Sequence, residues 1–258
     1  MISSLQNAKV KQVRQLTGRT KERREAGAFL AEGVRLVEEA LAAAWPFRFA
    51  LYTDGLSVRG KTLVERLVAA GVDVEPVSES IMKSVSETEA AQGLLAVLDQ
   101  GSLPLPASLD FVLIPDRIRD PGNLGSLLRT AAAAGVQAVL LPPETTDAFA
   151  PKVVRAGMGS HFHLPIRSMS WDDIERLCTS AGLRVFLATM EGAPCWTTDF
   201  RPPLALIVGG EADGASERAR AVAIQPVGIP MPGAMESLNA GAAGTILLFE
   251  VVRQRRTS

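Results

Sequence analysis

Asn123, Arg129, Glu211, Ser237 and Asn239 are polar residues set where chemistry is feasible, because each stands in a Gly- or Pro-rich cluster that follows a strand-like run. In "DRIRDPGNLGSLLRTAAAAG", Pro121 and Gly122 turn the chain, Asn123 offers both a donor and an acceptor, and Arg129 falls on the first turns of the next helix. In "VGGEADG" the glycines let backbone approach a ligand, and Glu211 sets a carboxylate at the strand's end. In "IPMPGAMESLNAGAAG" a loop bounded by Pro and Gly leads Ser237 and Asn239 into the last helix. Each cluster has a plainer reading: Arg129 as a surface arginine, Glu211 as a solvated turn residue, Ser237 as an N-cap. A fourth stretch, "GLSVRGKT" at 55–62, matches the phosphate-binding pattern Gly-x-x-x-x-Gly-Lys-Thr between a strand-like "FRFALYTD" and a helical "LVERLVAAG". With "DFVLIPD" supplying a magnesium-binding Asp116, that match would make the chain an ATPase.

The elements that must position these residues fall into two textures. Residues 1–100 alternate a basic helix and "FLAEGVRLVEEALAAA" with "FRFALYT", "KTLVERLVAAG", "VDVEPVS" and "QGLLAVLDQ", the pattern of a small α/β domain. Residues 101–110, "GSLPLPASLD", are rich in Pro, Ser and Gly and read as a linker. From 111 to 258 strands such as "FVLIP", "AVLLPP", "RVFLATM" and "LALIVGG" alternate with helices, as in a largely parallel α/β sheet. Ligands of such sheets gather at the carboxyl ends of the strands, where the three clusters lie. The last stretch, "ESLNAGAAGTILLFEVVRQRR", reads as a helix whose "AGAAG" permits close approach and whose terminal arginines complement the helix dipole.

At 258 residues and 47% apolar content the chain can bury a real core. Its start has no apolar run of signal-peptide length, and no run approaches the roughly 18 residues that span a bilayer, so the expected setting is the cytoplasm, away from membranes. Cys178 and Cys195 stand apart without clustered histidines, which implies plain thiols and no metal site. The net charge of −1 conceals an uneven distribution: residues 1–35 carry eight cationic side chains, among them Arg19, Lys21, Arg23 and Arg24, against three carboxylates. Such an excess is either a solvated helix face or the footprint of a polyanion.

In order and composition, "DPGNLGSLLRTA", "GGEADG" and "IPMPGAMESLNAGAAG" resemble the three signature motifs of the SpoU (TrmH) family of RNA ribose 2'-O-methyltransferases, members of the SPOUT superfamily. The resemblance covers roughly residues 110–255; "FLAEGVRLVEEAL" and "TEAAQGLLAVL" are similar to the family's substrate-binding domain, which is like ribosomal protein L30e. It implies a deep trefoil knot, one of the exceptions to the rule that chains do not knot. It also implies S-adenosylmethionine as cofactor, bound against Thr189, Gly209, Ile229, Met231 and Leu238, with Asn123, Arg129, Glu211, Ser237 and Asn239 in the catalytic pocket. Arg129 would anchor the target's phosphate and orient the 2'-oxygen, because an arginine side chain is in general too firmly protonated to serve as a base. Further implications are RNA contacts by Arg19, Lys21, Arg23 and Arg24, a homodimer, and ribosomal RNA as substrate, with 23S favoured. Transfer RNA is the alternative; a non-catalytic RNA-binding protein is a weaker one, and the ATPase reading is set aside in favour of three motifs in order. The sequence departs from the family where Ser237-Leu238-Asn239 is followed by Ala240-Gly241-Ala242 instead of Val-Ser-Val, and where Gly157 stands in place of a common Ser. His161 and His163 are read as structural or surface residues.

Overall fold

The structure, a computed structural model, describes residues 1–87, 92–101, 103–210, 214–234 and 237–256. In chain order it contains α1 (Ala8–Thr17), α2 (Thr20–Ala26), β1 (Ala28–Glu32), α3 (Val34–Ala42), β2 (Phe47–Tyr52), α4 (Val58–Ala69), β3 (Val74–Pro76), α5 (Glu79–Val85) and β4 (Leu94–Asp99). There follow β5 (Phe111–Asp116), α6 (Pro121–Ala134), β6 (Ala138–Leu141), α7 (Pro151–Gly157), a 3-10 turn at Ser160–Phe162, β7 (Ile166–Ser168) and α8 (Trp171–Ser180). The chain continues with β8 (Arg184–Pro194), β9 (Leu204–Gly209), α9 (Glu217–Val222), β10 (Gln225–Gly228) and α10 (Ala240–Arg256). Two compact units result, one of residues 1–101 with 149–162, the other of 102–148 with 163–258.

In the first unit the sheet order is β1-β4-β2-β3, with β4 antiparallel to both neighbours and β2 parallel to β3. One face is covered by apolar residues three apart on α1, Val10, Val13 and Leu16, and by Ile81, Met82 and Val85 of α5. α7 and the 3-10 turn belong to this unit, where Phe29, Phe149, His161 and Phe162 form an aromatic cluster, and His161 is buried. The expectation that His161 is structural agrees with this position.

"GLSVRGKT" does not form a phosphate cradle. Ser57 caps α4, which begins at Val58, so Gly60 and Lys61 already lie inside the helix. A Cβ on Gly60 would stand 3.0 Å from Leu56 Cδ2 and 3.3 Å from Val34 Cγ2, so this glycine lets a helix pack on the core and leaves no opening for an anion. Arg59 and Arg66 both pair with Glu38, whose carboxyl is held below its usual range chiefly by the Arg59 hydrogen bond.

The second unit is built on a six-stranded sheet of order β10-β8-β9-β5-β6-β7, parallel throughout. Alternation along β5 sends Val112 and Ile114 to the face covered by Trp171, Ile174 and Cys178 of α8 and Ala219 of α9; the opposite face carries α6 and α10. Burial pushes the Cys178 thiol up to about 11, so it stays protonated and packs as a small apolar side chain. Of residues 101–110, expected as a linker, 103–110 run along this unit: Leu109 is buried in its core, and Arg167 donates to the Leu103 carbonyl. Among the described residues no helix is long and apolar enough to cross a membrane.

α6 and α10 are the pair that matters for the site. α6 starts where Asp120 accepts the Asn123 amide at 2.8 Å, has Pro121 in its first turn, and stops at Gly135 in the left-handed conformation. α10 lies against it with Thr130 and Thr245 hydroxyls 3.1 Å apart. A Cβ on Gly244 would come within 2.3 Å of Leu127 Cδ2, so "AGAAG" does allow the two helices to close up as expected. The far end of α10 is tied down by Gln254, which accepts the Phe200 amide and donates to the Thr198 carbonyl, and by Arg255, which reaches the Phe200, Pro202 and Asp110 carbonyls.

Candidate active site

At the carboxyl side of the parallel sheet, where β9 and β10 end and the longer β8 runs on to Pro194, opens a cavity of about 910 Å³. A volume of that order suits a ligand of nucleoside size or somewhat larger. The five residues expected at the cofactor, Thr189, Gly209, Ile229, Met231 and Leu238, all line it. Thr189 extends from β8, Gly209 closes β9, and Ile229 and Met231 follow β10, so successive returns of the chain converge on one space.

The wall is made to admit backbone. A Cβ on Gly209 would stand 2.8 Å from the Ala215 nitrogen, and one on Gly228 would stand 3.0 Å from the Gly192 carbonyl oxygen. These glycines therefore let the strand ends pack to a spacing that a side chain would forbid. The same wall presents Thr189 Oγ1, buried and without a hydrogen-bond partner among the described residues. A buried hydroxyl left without a partner beside a cavity fits a ligand that supplies one. Apolar Ile229, Met231 and Leu238 provide surfaces for a flat ring, and Leu238 is 39% exposed, a large apolar side chain left uncovered at the rim. Backbone glycine, one unsatisfied hydroxyl and three apolar side chains fit an adenosine-containing ligand such as S-adenosylmethionine.

The catalytic candidates divide. Ser237 and Asn239 line the cavity. Asn239 Nδ2 donates to Asn123 Oδ1 at 2.9 Å, which joins the first and third clusters across 116 positions of sequence. Asn239 also accepts the Ala242 amide through Oδ1 at 3.2 Å, so the residue that caps α10 is Asn239 and not Ser237, which lies three positions before the first helical residue. Arg129 is brought to neither. It is exposed on α6, six positions after Asn123, which on a helix turns it roughly 120° away. It has no partner among the described residues and does not line the cavity. Glu211 lies outside the described residues.

Two charged residues in the described wall, Glu191 and Arg220, escaped the sequence reading. Glu191 belongs to the polar extension of β8, and Arg220 to a helix of six residues; neither neighbours a recognisable motif position.

Among the RNA candidates of the first unit, Arg19, Lys21 and Arg24 are exposed, Lys21 with a solvent-facing ion pair to Glu25 at 3.6 Å. Arg23 is a correction. It is 3% exposed, and its guanidinium donates to the Leu16 and Gly18 carbonyls at 2.9 Å each and to Thr20 Oγ1 at 3.3 Å, closing the turn between α1 and α2. Its charge is used to satisfy carbonyls where α1 ends, so it is not available to a phosphate. Arg23→Ala should therefore cost about 2 kcal/mol, seen as a fall in Tm of roughly 4–8 °C by calorimetry. Replacing Arg19, Lys21 and Arg24 together should leave Tm within about a degree.

The model of the SpoU rRNA methylase family matches residues 110–249, and that of the MRM3-like substrate binding domain matches residues 7–96. The 23S rRNA (guanosine(2553)-2'-O)-methyltransferase RlmP of Bacillus subtilis is 35% identical over 97% of this chain and 98% of its own length. The AdoMet-bound rRNA methyltransferase from Sinorhizobium meliloti superposes with a TM-score of 0.86 at 34% identity, covering 98% of this chain and 97% of that one. The AdoMet complex of the SpoU methyltransferase AviRb from Streptomyces viridochromogenes gives 0.86 at 30% identity, covering 98% and 100%. With a family model over more than half of its residues and relatives matched along nearly its whole length, this chain belongs to the SpoU rRNA methylase family.

Proposed function

We infer that this chain is an S-adenosylmethionine-dependent methyltransferase that modifies a ribose 2'-hydroxyl of ribosomal RNA, in the large subunit and in the cytoplasm. The observation that carries the reading is the cavity at the carboxyl edge of the parallel sheet, where the five expected cofactor residues meet Ser237 and the Asn123–Asn239 pair. S-adenosylmethionine supplies an activated methyl group. What remains for the protein is to hold the nucleophile in line and give its proton somewhere to go. Asn123 and Asn239, locked to each other at 2.9 Å, form a preset polar edge for the ribose, and Ser237 is exposed beside them. The substrate follows from the relatives: RlmP is a 23S rRNA enzyme and so is the 34% identical uridine(2479) methyltransferase of Streptomyces viridochromogenes, matched over 96% of this chain. Transfer of labelled methyl from S-adenosylmethionine to ribosomal RNA, followed by mapping of 2'-O-methyl positions in cells with and without the gene, tests it. One lost position in large-subunit RNA is expected; loss confined to transfer RNA would overturn the substrate.

The fold expected for such a site is a trefoil knot in the second unit, whose all-parallel sheet and last helix α10, packed on α6, are the elements it would use. The first unit serves as an L30e-like RNA module over about residues 1–100, with Arg19, Lys21 and Arg24 as its phosphate contacts. Replacing these three should weaken RNA binding and lower the slope of log affinity against log salt by about 2, since each phosphate that is no longer neutralised removes roughly 0.7–0.9 from the slope. An unchanged slope in filter binding at several salt concentrations would return the cluster to a solvated face.

Function also requires two copies. Arg129 faces away from the cavity of its own chain, and it shares an outward surface with Ser126 and Ala133 of α6 and Ala242, Ile246 and Phe249 of α10. Phe249 is 46% exposed, an apolar ring with no cover in one chain. A second copy packed on these helices would cover it and bring its Arg129 to the partner's site. Light scattering at micromolar concentration should give a dimer, and Phe249→Glu should yield a monomer that still binds S-adenosylhomocysteine but has lost at least about tenfold in activity. A fully active monomer would sink the shared-site reading.

A further inference from the structure

The cavity contains a cation that no motif predicts. Of the described residues that line it, Glu191 and Arg220 alone are charged. Arg220 lies on α9, where its neighbour Arg218 is paired with Asp172 and, at 3.7 Å, with Glu175 of α8. Arg220 has no such partner among the described residues. It is turned to the opposite side of the helix, onto the cavity rim, where its Nη2 lies 3.7 Å from the position a Cβ on Gly214 would occupy. Gly214 has a φ of 62° and lines the same cavity, so among the described residues the guanidinium stands over bare backbone at the cavity wall.

Charge decides what such a residue can be for. S-adenosylmethionine has a sulfonium, an ammonium and one carboxylate. An arginine beside a ligand with two positive centres weakens binding by Coulomb repulsion unless it meets the single negative group. A planar fork of donors suits a carboxylate in particular, because two parallel hydrogen bonds can form. We propose that Arg220 is the residue that receives the carboxylate of the cofactor's methionine end. It thereby selects the intact cofactor over adenosine thioethers that lack this group. The proposal rests on the methyltransferase reading above, and it concerns binding only: Arg220 takes no part in the transfer itself.

The test compares two neutral-sulfur ligands by isothermal titration calorimetry on the full chain: S-adenosylhomocysteine and its decarboxylated analogue, which keeps the adenosine, the thioether and the ammonium. Wild type should prefer S-adenosylhomocysteine by about tenfold, the scale of one charge-assisted contact partly open to water. Arg220→Gln should lose that preference, with affinity for S-adenosylhomocysteine down about tenfold and affinity for the analogue unchanged within about twofold; Arg220→Lys should retain part of it. Equal weakening for both ligands, or no weakening for either, would overturn the proposal, the first by showing a merely structural role. Failure of the wild type to bind S-adenosylhomocysteine at all would instead remove the methyltransferase reading beneath it.

Discussion

Arg129→Ala is expected to lower kcat by about 10² to 10³, the equivalent of roughly 3–4 kcal/mol of transition-state stabilisation, while leaving the dissociation constant of S-adenosylhomocysteine within about twofold of wild type. The split follows from position: Arg129 does not line the cavity and has no described partner, so the fold and the cofactor walls do not depend on it. Two roles are conceivable and they diverge with pH. As a phosphate anchor, Arg129 acts through a fixed positive fork, and the residual activity of Arg129→Ala should show the pH profile of the wild type. As a base it would be replaced with some success by a lysine, whose amine sheds its proton more readily in general, and Arg129→Lys would then gain on wild type as pH rises. We expect the first pattern, with Arg129→Lys impaired at every pH because the planar two-point contact is gone. Mixing the impaired Arg129→Ala chains with Asn239→Ala chains adds a further test: in the shared-site dimer, a mixed pair regains one intact site and recovers activity above that of either variant alone. No recovery would place Arg129 and Asn239 of the same chain in one site.

Much of this arrangement could be read from the sequence because the physics involved is local. The run from Asp120 through Pro121 and Asn123 to Gly135 contains its own start and stop signals, and α6 begins and ends where they fall. The glycines of "AGAAG" signalled a close approach, and Gly244 meets Leu127. What could not be read is where long-range packing decides. Arg23 belongs to the same basic run as Arg19 and Arg24, yet it folds back on carbonyls left open where α1 stops at Thr17, which makes it part of the turn. Residues 149–162 follow β6 in the chain but pack with the first unit, through contacts of Phe149 and Phe162 with Phe29 that no periodicity encodes. Arg220 faces a cavity assembled from β8, β9, β10 and the loop before α10, and a helix of six residues says little about which of its sides will be wet. "GLSVRGKT" shows the converse: all the motif's residue types are present, and the buried contact of Gly60 with Leu56 and Val34 removes the function they would imply.

Gly192→Ala should do the most damage of any single methyl group added to the second unit. Its Cβ would lie 2.4 Å from both the nitrogen and the carbonyl carbon of Val227 and 2.6 Å from its Cα, and backbone atoms, unlike the tip of a side chain, cannot swing aside. Relief therefore requires β10 to move away from β8 where their register already shifts between Pro226 and Val227. The cost should fall in the overpacking range of about 1–3 kcal/mol, a drop in Tm of roughly 3–10 °C for a chain of this size. The displacement cannot stay local, because Val227 is followed by Gly228, whose carbonyl accepts the Cys195 amide at 2.8 Å, and then by Ile229 and the cofactor-facing loop. Moving that strand end shifts the apolar wall and the lead into Asn239 together, so affinity for S-adenosylhomocysteine should fall by at least about tenfold and activity by more. The matched control is Gly233→Ala in the same loop region, where an added Cβ meets no atom of the described residues within 4 Å and which should change neither Tm nor affinity measurably. If Gly192→Ala melts and binds like wild type, β8 and β10 are not held at the spacing seen here, and the cofactor wall is more compliant than its glycines imply.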